Sequence, residues 1–179
     1  GLDARVLGTL VRRLLETLPD IPEDMRQQAA MRFLARYHKS LGAQTADNVC
    51  TAVLDLMTMP TLAPVFATPA RAEMALAGKI TLNDGQKLKV TGRVDRYIAT
   101  GDNITLIDFK TGTPDPADAV SSAIYMQMAV YRDLVSRTKP GIDVRCGVVW
   151  TQNARLDWLA APALDAAFDD ICAGAFALS

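Results

Sequence analysis

The chain has 179 residues, half of them hydrophobic and 22% charged, with a formal net charge of −1 at neutral pH. That length suits a single domain with a substantial core, and the composition excludes a disordered or low-complexity protein. The near-zero charge argues against a stand-alone nucleic-acid binder but leaves a DNA enzyme open, because acidic ligands lower the formal charge and a neighbouring domain can supply basic residues. No apolar run approaches the ~20 residues that cross a bilayer, and no secretory segment opens the sequence. No membrane partner is therefore expected, and a cytoplasmic location is. The three cysteines, Cys50, Cys146 and Cys172, fit neither a disulfide framework nor a metal spacing. They are expected to pack as small apolar residues in a reducing compartment. The chain opens at Gly1 within helix-like sequence, so it is expected to be a piece of a larger polypeptide.

Leu7, Leu10, Val11, Leu14, Leu15 and Leu18 recur at three- and four-residue steps and predict an amphipathic helix over 2–18, ended by Pro19. A second helix is expected from a cap at Asp20 or Ile21 to about Leu41, stopping at Gly42. A third, capped by Thr45, runs through Val49, Val53 and Met57 to Pro60. Residues 59–69 hold three prolines and read as a loop. Strands follow: 71–77 carrying Glu73 and ended by Gly78, then 86–99 after the hairpin signal Asn83-Asp84-Gly85, then 103–110 after a turn at Gly101. Residues 118–138 return to helical periodicity, and Pro140-Gly141 ends them. Residues 144–150 are an apolar strand with 155–159 beside it, and a last helix is expected from Ala163 to about Leu178. Helices, a meander of strands, then a helix and further strands make an α/β sandwich about one mixed sheet.

The most informative stretch is TGRVDRYIATGDNITLIDFK, residues 91–110. Asp95 lies on its first strand, and Asp108 and Lys110 lie near the end of its second. Two residues apart on a strand, Asp108 and Lys110 point the same way. An acid and a base side by side at the end of an apolar strand are costly to desolvate without a partner. A divalent cation between Asp95 and Asp108, with Lys110 beside it, would offset that cost. Oxygen donors without histidine suit Mg²⁺, with Mn²⁺ able to substitute. No organic cofactor is expected. Glu73 adds an acid from the preceding strand. The sole histidine, His38, is expected on a solvated helix face.

Taken together, Glu73, the Gly-x-Val-Asp-Arg phrase at Asp95, the Ile-Asp-Phe-Lys-Thr phrase at Asp108 and Lys110, and Gln127-x-x-x-Tyr131 resemble the PD-(D/E)XK nuclease superfamily in its RecB-like branch. The ordered phrases GTLVRRLLETLP, RAEMALAG, GRVDR, LIDFKTG and YMQMAVYR are similar to the C-terminal nuclease domains of AddA-type subunits in bacterial AddAB helicase–nucleases. The resemblance implies a restriction-endonuclease-like fold, with a helical part over 1–60 and a catalytic core over 70–179. It implies a Mg²⁺-dependent deoxyribonuclease, acting as an exonuclease in double-strand-break repair. Its partners would be DNA, upstream ATP-driven helicase domains of the same chain, and an AddB-type subunit. It also implies roles: Asp95 and Asp108 hold the metal, the Phe109 carbonyl adds a ligand, Lys110 positions or deprotonates a water, and Gln127 and Tyr131 orient DNA or the carboxylates. Glu73 is either a further site acid or an exposed strand residue.

One departure stands out. The family phrase Gly-Thr-x-x-His brings a metal-binding histidine from the first helix, whereas here Gly8-Thr9-Leu10-Val11 is followed by Arg12. A guanidinium has no lone pair for a metal. Arg12 would then salt-bridge a site acid, as suits a weakened nuclease kept as a DNA-binding or subunit-interaction module, or bind a DNA phosphate in an active one.

Overall fold

The computed structural model describes residues 3–67, 69–112 and 120–175. Two compact units are distinguishable: residues 1–69 with 109–112 and 150–156, and residues 70–108 with 113–149 and 157–179.

The first unit is built on helices. Helix α1 (Ala4–Thr17) is capped by the Asp3 side chain, which accepts from the Arg5 amide at 3.1 Å, and it buries Leu10, Leu14 and Leu15. Pro19 turns its end into a 3₁₀ helix over Leu18–Asp20. Helix α2 (Glu23–Ala35) starts after Pro22 rather than at Asp20 or Ile21, with Glu23 and Asp24 in its first turn. It also stops short of the expected Leu41. The Arg36 and Tyr37 amides bond three residues back, to Phe33 and Leu34, which overtightens the turn and breaks the helix. A separate short helix, α3 (His38–Leu41), carries His38 exposed, and Gly42 follows at φ 74°. Helix α4 (Ala43–Thr58) begins at that glycine, so Thr45 sits inside the first turn rather than capping it. The expected loop over 59–69 contains helix α5 (Ala63–Ala67). Pro64 is tolerated there because a first-turn amide has no helical partner to lose, and Val65 and Phe66 supply the buried side.

The five strands form one sheet in the order β1 (Arg71–Thr81), β2 (Lys87–Thr100), β3 (Asn103–Lys110), β4 (Asp143–Trp150), β5 (Arg155–Leu159). β1–β2 and β2–β3 are antiparallel hairpins. β4 is reached from β3 only through helix α6 (Ser122–Thr138), the kind of connection a parallel neighbour needs, so the sheet is mixed. β1 runs on past Gly78, where the sequence suggests a turn. A Cβ at Gly78 would run into Leu134 of α6, so this glycine admits a close helix rather than turning the chain. The hairpin glycine is Gly85 at φ 86°, whose amide reaches the Leu82 carbonyl at 2.9 Å. α6 is capped by Ser121, and the expected helical residues 118–119 lie outside the described residues. Helix α7 (Ala161–Cys172) packs on α6 and ends before Gly174, earlier than the expected Leu178, which lies outside the described residues. The second unit's core includes Val94, Leu106, Ile107, Met128, Val148 and Val149. Among the described residues no helix is long and apolar enough to cross a membrane.

Candidate functional site

The β2–β3 register runs from Thr100 opposite Asn103 to Arg96 opposite Ile107. One step further along both strands stand Asp95 and Asp108. Opposed residues of antiparallel strands hold their Cβ atoms about 5 Å apart on one face of the sheet. Continued by one step, the register would bring the Asp95 and Asp108 side chains to the same face of the sheet. Both residues are only 5% exposed. Two buried carboxylates side by side repel each other strongly unless positive charge or a proton lies between them.

Glu73 falls on the same row. The β1–β2 register pairs Ala72 with Arg96 and Met74 with Val94, which leaves Glu73 across from Asp95. Its backbone there is left-handed at φ 50°, a conformation that costs a non-glycine residue about 1 kcal/mol or more. Its carboxylate lies 3.6 Å from the Arg93 guanidinium. Among the described residues no three His, Cys, Asp or Glu side chains form a group able to hold a metal ion. Glu73 thus lines up with the two aspartates without completing a cage.

Lys110 ends β3, on the same strand face as Asp108. Its carbonyl accepts from the Thr151 amide at 2.9 Å and from the Thr151 hydroxyl at 3.3 Å, which pins the strand end. Phe109 faces the other way, fully buried and stacked on Phe66 with ring centroids 6.0 Å apart. Its carbonyl, the expected metal ligand, accepts a hydrogen bond from Arg12 Nη2 at 2.9 Å. Arg12 of α1 thus meets a backbone carbonyl oxygen of the residue between Asp108 and Lys110. Gly8, one turn earlier on α1, lies so close to Thr111 that an added Cβ would sit 2.9 Å from its methyl group. The Gly-Thr phrase thus serves close packing of α1 on the chain just after Lys110.

On α6, Gln127 Nε2 donates to the Tyr131 hydroxyl at 3.2 Å, as the four-residue spacing suggested. Tyr131 is 6% exposed, and its ring end occupies the space where a Cβ at Gly92 would stand. Gly92 and Asp95 project from opposite faces of β2. The ring is therefore packed against the backbone at Gly92, and this gives the glycine of the Gly-Arg-Val-Asp phrase a reason that sequence reading missed. Thr151 was missed as well, since nothing local marks it. A cleft of about 280 Å³ in the first unit, lined by Leu7 and Val11 of α1, Val53 and Leu56 of α4, and Thr111, Thr151 and Gln152, includes none of the expected site residues.

A divalent cation suits this donor set in part. Two buried carboxylates on neighbouring strands offer hard oxygen donors of the kind Mg²⁺ takes. The Phe109 carbonyl has two lone pairs, of which the Arg12 bond uses one.

Comparison with known proteins agrees with the superfamily resemblance. A solved structure titled "Crystal structure of SSO0001" is 16% identical over 95% of this chain and 85% of its own, at a TM-score of 0.38, a likeness too loose to carry an argument. No curated protein matches. The model of the PD-(D/E)XK nuclease superfamily matches residues 1–157. With that match spanning both the α1 phrase and the Asp95–Asp108–Lys110 strands, the chain belongs to the PD-(D/E)XK nuclease superfamily.

Proposed function

We propose that the chain is a metal-dependent deoxyribonuclease domain that hydrolyses phosphodiester bonds of DNA. The observation that carries this reading is a pair of buried aspartates, Asp95 and Asp108, each one step beyond the Arg96–Ile107 pair of adjacent strands, in a member of a nuclease superfamily. Asp95 and Asp108 would hold Mg²⁺ or Mn²⁺, with the Phe109 carbonyl as a further oxygen donor. When bound, such a cation neutralises charge on the scissile phosphate and lowers the pKa of its water. Lys110, on the face it shares with Asp108, orients the attacking water and meets the negative charge that develops on the phosphate. Gln127 and Tyr131 are positioning residues: the Tyr131 ring wedged on Gly92 holds β2 three residues before Asp95. Glu73 keeps Arg93 in place beside that row.

The ordered phrases shared with AddA-type domains support a finer setting. In it, the domain acts as an exonuclease on strands delivered by ATP-driven helicase domains of the same polypeptide, with an AddB-type subunit, in double-strand-break repair. Substitution tests the chemistry directly. Asp108→Ala and Lys110→Ala should each lower Mg²⁺-dependent cleavage by at least about a hundredfold while the far-ultraviolet dichroism stays native. Wild-type-like cutting by both variants ends the proposal.

The Arg12 bond to the Phe109 carbonyl favours a second reading, a weakened nuclease fold that serves as a DNA-binding or subunit-interaction module. Calorimetric titration with Mn²⁺ separates the two. Binding that is lost in Asp95→Ala supports the enzyme, and no heat in the wild type up to millimolar metal supports the module.

A further inference from the structure

The β1–β2 hairpin turns a predominantly basic face toward solvent. From residue 87 to residue 93, odd positions of β2 are exposed and even positions are partly covered. Gly78 and Gly92, both even, lie beneath Leu134 and Tyr131 of α6, so the odd side is the outer one. It carries Lys87, Lys89 and Arg93 from β2 and Lys79 from β1, all exposed. The register sets Lys79 directly opposite Lys89 and Lys87 opposite Thr81, to whose hydroxyl the Lys87 ammonium donates. The remaining outward residues, Ala75, Ala77 and Thr91, are too short to cover these charges. Among the described outward positions short of Asp95, the one carboxylate is Glu73, which faces Arg93.

Like charges directly opposed across a strand pair destabilise it. A polyanion lying on the face reverses that sign. Lysines also guard bare sheet edges against other strands, but edge protection does not require that they line up with an acid pair, and here they do. Positions 87, 89, 91, 93 and 95 share one face of β2 with alternate residues about 6.7 Å apart, so the strip runs roughly 27 Å from Lys87 to Asp95. Lys87 and Lys89 stand about 7 Å apart, near the spacing of every second phosphate of a stacked strand, and Arg93 lies about 13 Å beyond Lys89, near every fourth, where phosphates recur about every 3.4 Å.

We propose that this face of the hairpin is a track for the sugar–phosphate backbone of a DNA strand, guiding it along β2 to the carboxylate pair. The proposal rests on the nuclease reading above and adds the surface by which substrate arrives. Such a track is indifferent to sequence and sensitive to salt.

Anisotropy of a fluorescein-labelled oligodeoxythymidine, measured on the full chain in EDTA so that nothing is cut, tests it across a salt series. The variant Lys79→Ala/Lys87→Ala/Lys89→Ala is compared with Lys39→Ala/Lys139→Ala, whose lysines are exposed elsewhere. The track variant should bind at least about tenfold more weakly, with a logarithmic salt slope shallower by roughly 2, about 0.7 per lost contact. Its thermal midpoint should be no lower than that of the wild type. If the triple variant does not fold, Lys89→Gln should still reduce the slope by about 0.7. Unchanged affinity and slope overturn the track, and so does an equal loss in the control variant. Displacement of the oligonucleotide by polyglutamate at lower charge concentration also overturns it and assigns the face to an acidic protein. Mn²⁺-dependent hydrolysis of bis-p-nitrophenyl phosphate by the wild type, a diester too small to need a track, scores the catalytic reading separately. Failure there with track binding intact sinks the nuclease reading alone.

Discussion

Three side chains show how single residues set this site's character. Arg12 stands where the superfamily's histidine would bring a metal-binding nitrogen, and its guanidinium is bonded to the Phe109 carbonyl instead. Arg12→His restores a neutral donor and frees that oxygen, so Mn²⁺ affinity by calorimetry should rise about tenfold, in the range that outer contacts of metal sites command. An affinity no tighter than wild type would show that the arginine does not limit binding. Tyr131 is legible from its spacing to Gln127, but its packing partner is not. Gly92→Ala forces a methyl into a rigid ring end and should cost about 1–3 kcal/mol in urea unfolding. The cut rate should fall beyond what that loss of stability explains if Tyr131 holds β2 in place. Glu73 is ambiguous in sequence because an exposed strand acid and a site acid look alike. The flanking register pairs put it on the Asp95 row, and its backbone there is left-handed at φ 50°.

At the scale of elements, periodicity anticipates α1, α4, β2 and β3 closely, since each has one clear apolar pattern and a strong stop. The misreadings have local causes. Three prolines hide α5, whose proline falls in the one turn where it does no harm. The second helix reads as continuous to Leu41 because nothing in its composition marks the tightened turn at Arg36–Tyr37. Gly78 reads as a turn, although a strand glycine under a helix has the same local signature. Gly42 joins α3 to α4 at φ 74° and ψ 156°, a region almost confined to glycine. No atom lies within 4 Å of a Cβ built there, so the cost of Gly42→Ala is conformational alone. It should lower stability by about 1–3 kcal/mol, and a neutral result in denaturant melts would mean the junction relaxes.

For the molecule as a whole, the cysteines give a test that needs no DNA. Cys50 and Cys146 are buried and Cys172 is partly covered, all three free. Burial, partly offset by Arg132, pushes the Cys146 thiol up to about 12 from an ordinary 9.0. Folded Cys146 thus keeps its proton between pH 9 and 12 while the unfolded thiol loses it, so folding stability falls as pH rises through that window. The slope from this group is up to about 1.4 kcal/mol per pH unit and should vanish in Cys146→Ala, as read by urea midpoints. Below pH 9 the thiol is neutral in both states and contributes no slope. In the native protein a thiol reagent should label Cys172 first, and rapid labelling of all three would contradict the packing.

Residue order by itself determined the class of fold, the positions of most helices and strands, and the Asp-x-Lys pattern at the end of an apolar strand, because periodicity, turn residues and side-chain type act over a few neighbours. Tertiary structure alone decided that Lys79 opposes Lys89 and that Arg12 reaches a carbonyl ninety-seven residues away. Register between strands and contact between distant elements depend on how whole surfaces fit. No local pattern encodes that fit.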